Sequence, residues 1–180
     1  MSGDVCLAYV VGLGANLGDR RATLKSAVQA LAAQAALLGV SDLYASRAVG
    51  PEQPDYLNAA VLLESSLTPS QLLGELLGIE RAHGRVRRER WGPRTLDLDL
   101  LHSPDLVVNE ADLTLPHPEL TGRAFALAPL LDVAPDARDP HSGARYAELL
   151  RAIADPGVHR VETSAAWFGP IVGHRPGRAE

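Results

Sequence analysis

Cys6-Leu7-Ala8-Tyr9-Val10-Val11-Gly12-Leu13-Gly14-Ala15-Asn16-Leu17-Gly18 runs from an apolar hexapeptide into a turn that holds three glycines. Cys6 to Val11 has the length and composition of a buried strand, and its thiol reads as a buried neutral group. A strand entering a glycine-rich turn suggests dinucleotide binding, but the third glycine of that fingerprint falls on Leu17. A Walker A loop needs Gly-Lys-Ser/Thr, and Lys25 follows Leu24. Neither parallel-sheet nucleotide fold fits the start of the chain.

Working outward, Asp19 caps a helix whose apolar positions Leu24, Ala27, Val28, Leu31 and Ala35 recur until Gly39. Val40 to Ser46 reads as a second strand, 50–55 as a proline-containing loop, and Leu57 to Leu63 as a third strand. Thr68 and Pro69 open a second helix in the preferred cap and first-turn order, and it ends near His83 and Gly84. Leu96 to His102 alternates as a fourth strand, 116–131 reads as short helical turns, and Tyr146 to Ile153 as a final helix. Strand, helix, strand, strand, helix, strand describes an α+β split βαβ sandwich, with an antiparallel sheet and its two helices on one face.

The 180 residues fit about one domain, and 46% hydrophobic against 22% charged residues is the balance of a globular chain. A net charge of −5 does not favour nucleic acid or an anionic membrane, so any polyanion site must be local. A single cysteine excludes an internal disulfide, and no stretch approaches the ~18 apolar residues of a membrane span. A cytoplasmic setting is expected. Of 17 basic residues only Lys25 is a lysine, so phosphate chemistry here must use arginine and metal.

On a strand, Asp97 and Asp99 point to one face while Leu96, Leu98 and Leu100 point into the core. Two carboxylates this close repel unless a proton or cation neutralises them, and Mg²⁺ suits such a pair with phosphate oxygens completing its shell. The pair alone reads equally as an exposed strand of alternating polarity. Its neighbours tip the balance: Arg85, Arg87, Arg88, Arg90 and Arg94 precede it, interrupted in sign only by Glu89, an arrangement suited to holding a polyphosphate beside its metal. The competing reading is an RNA-binding module, signalled by salt-dependent binding. Farther on, His117 lies between two prolines, with Arg123 and Phe125 beyond it.

These residues resemble the 6-hydroxymethyl-7,8-dihydropterin pyrophosphokinase family of folate biosynthesis. The resemblance rests on Gly12 to Gly18, Gln53-Pro54-Asp55-Tyr56-Leu57-Asn58-Ala59-Ala60, Gly84-Arg85, Arg90 to Asp99, and Leu115-Pro116-His117-Pro118 with Arg123-Ala124-Phe125. It implies a ferredoxin-like sandwich with helices packed on the sheet's faces, and transfer of a pyrophosphoryl group from ATP to the pterin's hydroxymethyl oxygen, releasing AMP. Asp97 and Asp99 would hold two Mg²⁺ ions and, with Arg85 and Arg94, form the catalytic set. ATP would meet Arg85, Arg87, Trp91, Arg94, Leu100, Thr114, His117 and Arg123. The pterin would meet Gly14, Ser46, Val49, Tyr56, Asn58, Trp91 and Phe125, stacked between Tyr56 and Phe125.

The chain departs from the family pattern in two places: it has Ser46-Arg47-Ala48 where members often carry Thr-Pro-Pro, and Pro118 where some carry Tyr. Residues 1–158 are expected to form a single pyrophosphokinase domain and 159–180 a flexible extension. The partners expected are ATP and pterin, without nucleic acid or membrane, on a monomer. The stretch from Gly84 to Pro93 is expected to close over both substrates.

Overall fold

The computed structural model describes residues 5–48, 52–84, 94–154 and 156–171. The N-terminal apolar run forms β1 (Leu7–Ala15), which lies inside the sheet between β4 (Tyr56–Ser65) and β5 (Asp97–His102), antiparallel to both. Cys6 is exposed rather than buried, because pairing begins only at Leu7.

Between these strands run α1 (Arg20–Ala32) and α2 (Pro69–Ala82). The Asp19 carboxylate accepts the Ala22 N–H at 3.0 Å, and Thr68 and Gln71 form a reciprocal capping box. The first helix stops earlier than its apolar spacing suggested. Residues up to Gly39 join β2 (Ala36–Val40), where Leu37 and Val40 are buried and Leu38 is 52% exposed. The ladder against β4 shifts register between Leu37 and Gly39, and a Cβ on Gly39 would stand 3.4 Å from Val133, so Gly39 serves a bulge and not a helix end.

The strand expected over 40–46 is likewise two. β2 pairs with the far half of β4 and β3 (Leu43–Ser46) with its near half, and the chain breaks at Ser41 and Asp42. Ser41 mends the gap: its N–H donates to Ala60 O at 2.9 Å, and its Oγ accepts the Ala60 N–H at 2.8 Å.

The full order is β5-β1-β4-β3-β8, with β2 also on β4 and β8 spanning Val158–Glu162. One face packs Tyr9, Val11, Leu13, Val61, Leu63, Leu98 and Leu100 against α1 and α2. The other packs Val10, Ala60 and Leu101 against α3 (Ala124–Val133) and α4 (Tyr146–Ala152). Helices therefore cover both faces. The helical turns expected over 116–131 are a 3-10 turn (Leu120–Gly122) and the longer α3, whose residues are apolar nearly all round, as a helix wedged between sheet and helix requires, and so show no stripe that marks its extent. A short hairpin of β6 (Val108–Asn109) and β7 (Thr114–Leu115) flanks β5, and the Leu115–Pro116 peptide is cis.

The expected start of an extension at residue 159 falls inside β8, which pairs with β3. α5 (Ser164–Trp167) follows, and Trp167 is fully buried, its Nε1–H donating to Ser41 O at 2.9 Å. Burying ~200 Å² of indole is worth ~5 kcal/mol, enough to dock a segment otherwise rich in Gly and polar residues. Residues 172–180 lie outside the described residues. Among the described residues no helix is long and apolar enough to cross a membrane.

Candidate active site

The second sheet face changes character along its length. At one end Val10, Leu62 and Leu101 meet α3; toward the other, the same face presents Gly12 and Gly14 on β1, Tyr56 and Asn58 on β4, and Asp97 and Asp99 on β5. Gly14 sits in line between Asn58 and Asp97, and Gly12 lies directly across from Asp99. With no side chain at Gly14, β1 leaves an open floor between Asp97 and the Asn58 amide, whereas the Leu101 side chain lies over Gly12.

Asn58 is 4% exposed and its Nδ2 donates to Ser46 Oγ at 2.8 Å, so Ser46 on β3 orients the amide. A Cβ on Gly14 would touch Asn58 Oδ1 and the Tyr56 ring, each at 3.5 Å, which brings Gly14, Ser46, Tyr56 and Asn58 into one slot wall. Phe125, at the start of α3, is partly buried against the second core, and the Arg123 guanidinium lies 5.7 Å from its ring centre. Arg123 also pairs with Glu119.

Across the floor, Arg94 Nη1 donates to Asp97 Oδ2 at 2.7 Å. Burial would lower the Arg94 pKa, but the Asp97 charge and hydrogen bond more than offset it, so the guanidinium is firmly cationic. Asp99 is pushed up to about 6, first by burial and then by the Asp97 charge, against the pull of Arg123 and Arg94. Burial and the Asp97 charge thus leave an ionised Asp99 short of a compensating cation.

That electrostatic deficit is a test of whether the residues suit Mg²⁺, and they do. Asp97 and Asp99 are hard oxygen donors on one face above glycines, and among the described residues no third acidic, His or Cys group joins them into a closed cluster. Two carboxylates with phosphate and water completing the shell is the pattern of Mg²⁺ rather than of a closed zinc site.

A cavity of about 310 Å³ runs along the outer edge of β5, lined among others by Leu73, Leu98, Asp99, Leu100, Thr114 and His117. Leu100, Thr114 and His117 are thus brought together with Asp99. His117 is held at both ends: its N–H donates to Leu101 O at 2.8 Å, and its Nδ1 accepts the Glu119 N–H at 3.2 Å. That places the ring proton on Nε2. Burial and the nearby Arg123 both lower its pKa, so the ring is a neutral donor.

Arg85, Arg87, Trp91 and Val49, and residues 85–93 of the expected closure, lie outside the described residues. Two residues not singled out belong to the site's frame. Glu80 on α2 is 1% exposed and accepts the Leu98 N–H at 2.7 Å, fixing β5 between the two aspartates. Asn16 is 1% exposed and binds Arg94, Gln53 and Pro54. A polar residue at a buried position of an apolar helix stripe could have flagged Glu80. Asn16 gave no local signal beyond its place in the glycine turn.

Residues 10–135 match the family model described as 7,8-dihydro-6-hydroxymethylpterin-pyrophosphokinase, HPPK. The chain is 44% identical over 164 residues to the 2-amino-4-hydroxy-6-hydroxymethyldihydropteridine pyrophosphokinase of Synechocystis sp., covering 90% of this chain and 80% of that one. To the protein of the same name from Pseudomonas aeruginosa it is 42% identical over 154 residues, covering 84% and 94%. Its fold is similar to the Plasmodium falciparum HPPK-DHPS crystallised with pterin and p-hydroxybenzoate, with a TM-score of 0.67 at 13% identity. That match covers 84% of this chain and spans 44% of the Plasmodium chain's length.

Proposed function

The chain belongs to the 7,8-dihydro-6-hydroxymethylpterin-pyrophosphokinase family, and on that premise we propose how its residues move a pyrophosphoryl group from ATP to the hydroxymethyl oxygen of 6-hydroxymethyl-7,8-dihydropterin in folate biosynthesis. The relatives from Synechocystis sp. and Pseudomonas aeruginosa, matched along 90% and 84% of the chain, are named as this enzyme, and the RNA-binding reading finds no support in them.

The observation that carries the assignment of roles is the position of Asp97 and Asp99. Asp99 lines the β5-edge cavity, and Asp97, two residues before it on the same face, is in register with Gly14 of the slot walled by Gly14, Tyr56 and Asn58. ATP takes the cavity and the pterin takes the slot, so the β-phosphorus and the substrate alcohol meet above the carboxylates. Alternate residues of a strand turn their backbone groups the same way, and Leu98 directs its N–H outward to Glu80. Leu100 therefore turns its own N–H and C=O toward the cavity, where they meet the adenine edge, with Thr114 beside them. The His117 Nε2–H and the Arg123 guanidinium bind phosphate oxygens.

Tyr56 and Phe125 stack the pterin, and Asn58, held by Ser46, reads its amide edge; Val49 and Trp91 complete the slot by resemblance. Arg94 with Arg85 stabilises charge on the transferring group, and Arg87 adds a phosphate contact. Two Mg²⁺ ions held by Asp97 and Asp99 would supply charge neutralisation on the phosphates. The nucleophile is the substrate's own alcohol, so no side chain becomes covalently modified.

The order β5-β1-β4 followed by β2 and β3 is a ferredoxin-like arrangement in which the third segment of the pattern is split in two. We take the docked residues through Trp167 as part of the same single domain. A cytoplasmic monomer acting on small molecules, without nucleic acid, completes the reading. The decisive test is the nucleotide product: ATP with the pterin alcohol and Mg²⁺ should give AMP, and stoichiometric ADP would overturn the assignment.

A further inference from the structure

Asn16 stands one residue past the end of β1, with every polar atom of its side chain engaged. Its Oδ1 accepts the Arg94 N–H at 2.8 Å, and its own N–H donates to Arg94 O at 3.2 Å. Its Nδ2 donates to Gln53 Oε1 at 2.9 Å and to Pro54 O at 3.1 Å. The partners come from chain segments 78 and 37–38 residues away, and the amide is 1% exposed. Arg94 reaches Asp97 through Nη1, whereas Pro54 is two residues from Tyr56, so the partners lead to opposite sides of the glycine floor.

We infer that Asn16 is a positioning residue that sets the spacing between the two substrate sites. It holds Arg94 over Asp97 on one side and the Gln53-Pro54 turn leading into Tyr56 on the other. This rests on the functional reading above. An amide suits the position because it accepts from one backbone and donates twice to the other segment at once, which neither a carboxylate nor a hydroxyl does.

A residue that sets spacing affects the step in which both substrates must meet, and affects each substrate's own binding little. Displacing reacting groups by about an ångström costs ~100-fold in rate. Asn16→Ala should therefore lower the single-turnover rate of AMP formation by about 10- to 100-fold while the dissociation constants for ATP and for the pterin alcohol, measured separately, change less than about threefold. Because one arm of its contacts acts through Arg94, its effect should be sub-additive with that of Arg94→Ala in a double-mutant cycle.

A purely structural asparagine gives a different result: a lower Tm, an unchanged single-turnover rate for the folded protein, and effects that add to those of Arg94→Ala. That result overturns the inference. Should Asn16→Ala fail to fold, Gln53→Ala breaks one of the same bonds from a partly exposed position; it should slow the single-turnover rate with ATP binding unchanged, and an unaltered rate overturns the inference. Failure of the unsubstituted chain to form AMP would remove the functional reading as well, whereas AMP formation with additive mutational effects removes the positioning role alone.

Discussion

Asp99 lies directly opposite Gly12 in the β1–β5 ladder, and a methyl group on Gly12 would come within 2.8 Å of Leu101 Cδ1 and 3.2 Å of its Cγ. Leu101 is 3% exposed in the core beneath α3, so Gly12→Ala forces its side chain to shift within close-packed surroundings. Overpacking of this kind costs ~1–3 kcal/mol. Gly14→Ala meets only ordinary contacts at 3.5 Å, with Asn58 and Tyr56. The expected outcome is a lowered Tm for Gly12→Ala, and for Gly14→Ala a near-native Tm with a raised KM for the pterin alone. Equal thermal shifts for the two variants would contradict the close packing at Gly12.

The raised pKa of Asp99 has a sign that can be measured. Its folded value of about 6 lies above the ordinary 3.8, so folding without metal favours the protonated acid, and stability falls as pH rises from about 4 through about 6. Above that window the charged group is a constant cost. Asp99→Asn should therefore raise the Tm of the chelator-treated protein at pH 8, by roughly 2–4 °C per kcal/mol relieved, and leave it unchanged near pH 3. Scanning calorimetry in EDTA that showed a lower Tm at pH 8 would refute the account.

The same pair should make turnover strictly dependent on Mg²⁺. Asp97→Ala and Asp99→Ala should each abolish AMP formation while keeping the circular dichroism spectrum of the parent, and added Mg²⁺ should raise the Tm of the parent but not of Asp99→Ala. A well-folded variant of either kind with near-native activity would exclude the metal role.

Phe125→Ala should weaken binding of the pterin alcohol far more than of ATP. The ring is only partly buried, so the loss is one of stacking, worth ~0.5–1.5 kcal/mol beyond area, more than of core packing. Titration calorimetry showing the same loss for both ligands would assign Phe125 to the core instead.

Asp139 offers a control far from the chemistry. Burial pushes its pKa up, but hydrogen bonds from Ser142 Oγ at 2.5 Å, Ser142 N–H at 3.0 Å and His141 N–H at 3.3 Å outweigh that and hold it below the usual carboxylate range. A depressed carboxylate stabilises the fold above about pH 4 and loses that contribution in stronger acid. Asp139→Ala should cost ~1–3 kcal/mol at pH 7 by urea unfolding, and the gap should narrow at pH 3. A gap independent of pH would argue against the charged network.

What could be read from the residues was whatever leaves a local imprint. The alternation of Asp97-Leu98-Asp99 placed the carboxylates on one face, and Thr68-Pro69 marked the start of α2, because pleat and cap chemistry act over two to four residues. The stretch 33–40 was misread because alanine and leucine fit helix and strand alike, and the ladder with β4 decides. Trp167 and Asn16 were invisible for a different reason. Their partners, Ser41 and Arg94, lie 126 and 78 residues away, and only the assembled chain brings them together.

The position of β5 at the margin of the sheet has a further consequence. A strand with one unpaired side is the part of a protein most prone to zip onto another chain. The opposite margin, β8, carries His159, Arg160 and Glu162, which discourage such pairing. On β5, Glu80 accepts the Leu98 N–H and Leu101 O accepts the His117 N–H, and between them Leu100 lines the cavity. On the proposed reading, the backbone that takes the nucleotide is also a strand edge open to pairing with another chain. ATP bound there would also shield the strand from association, so aggregation at fixed protein concentration should slow as ATP is added.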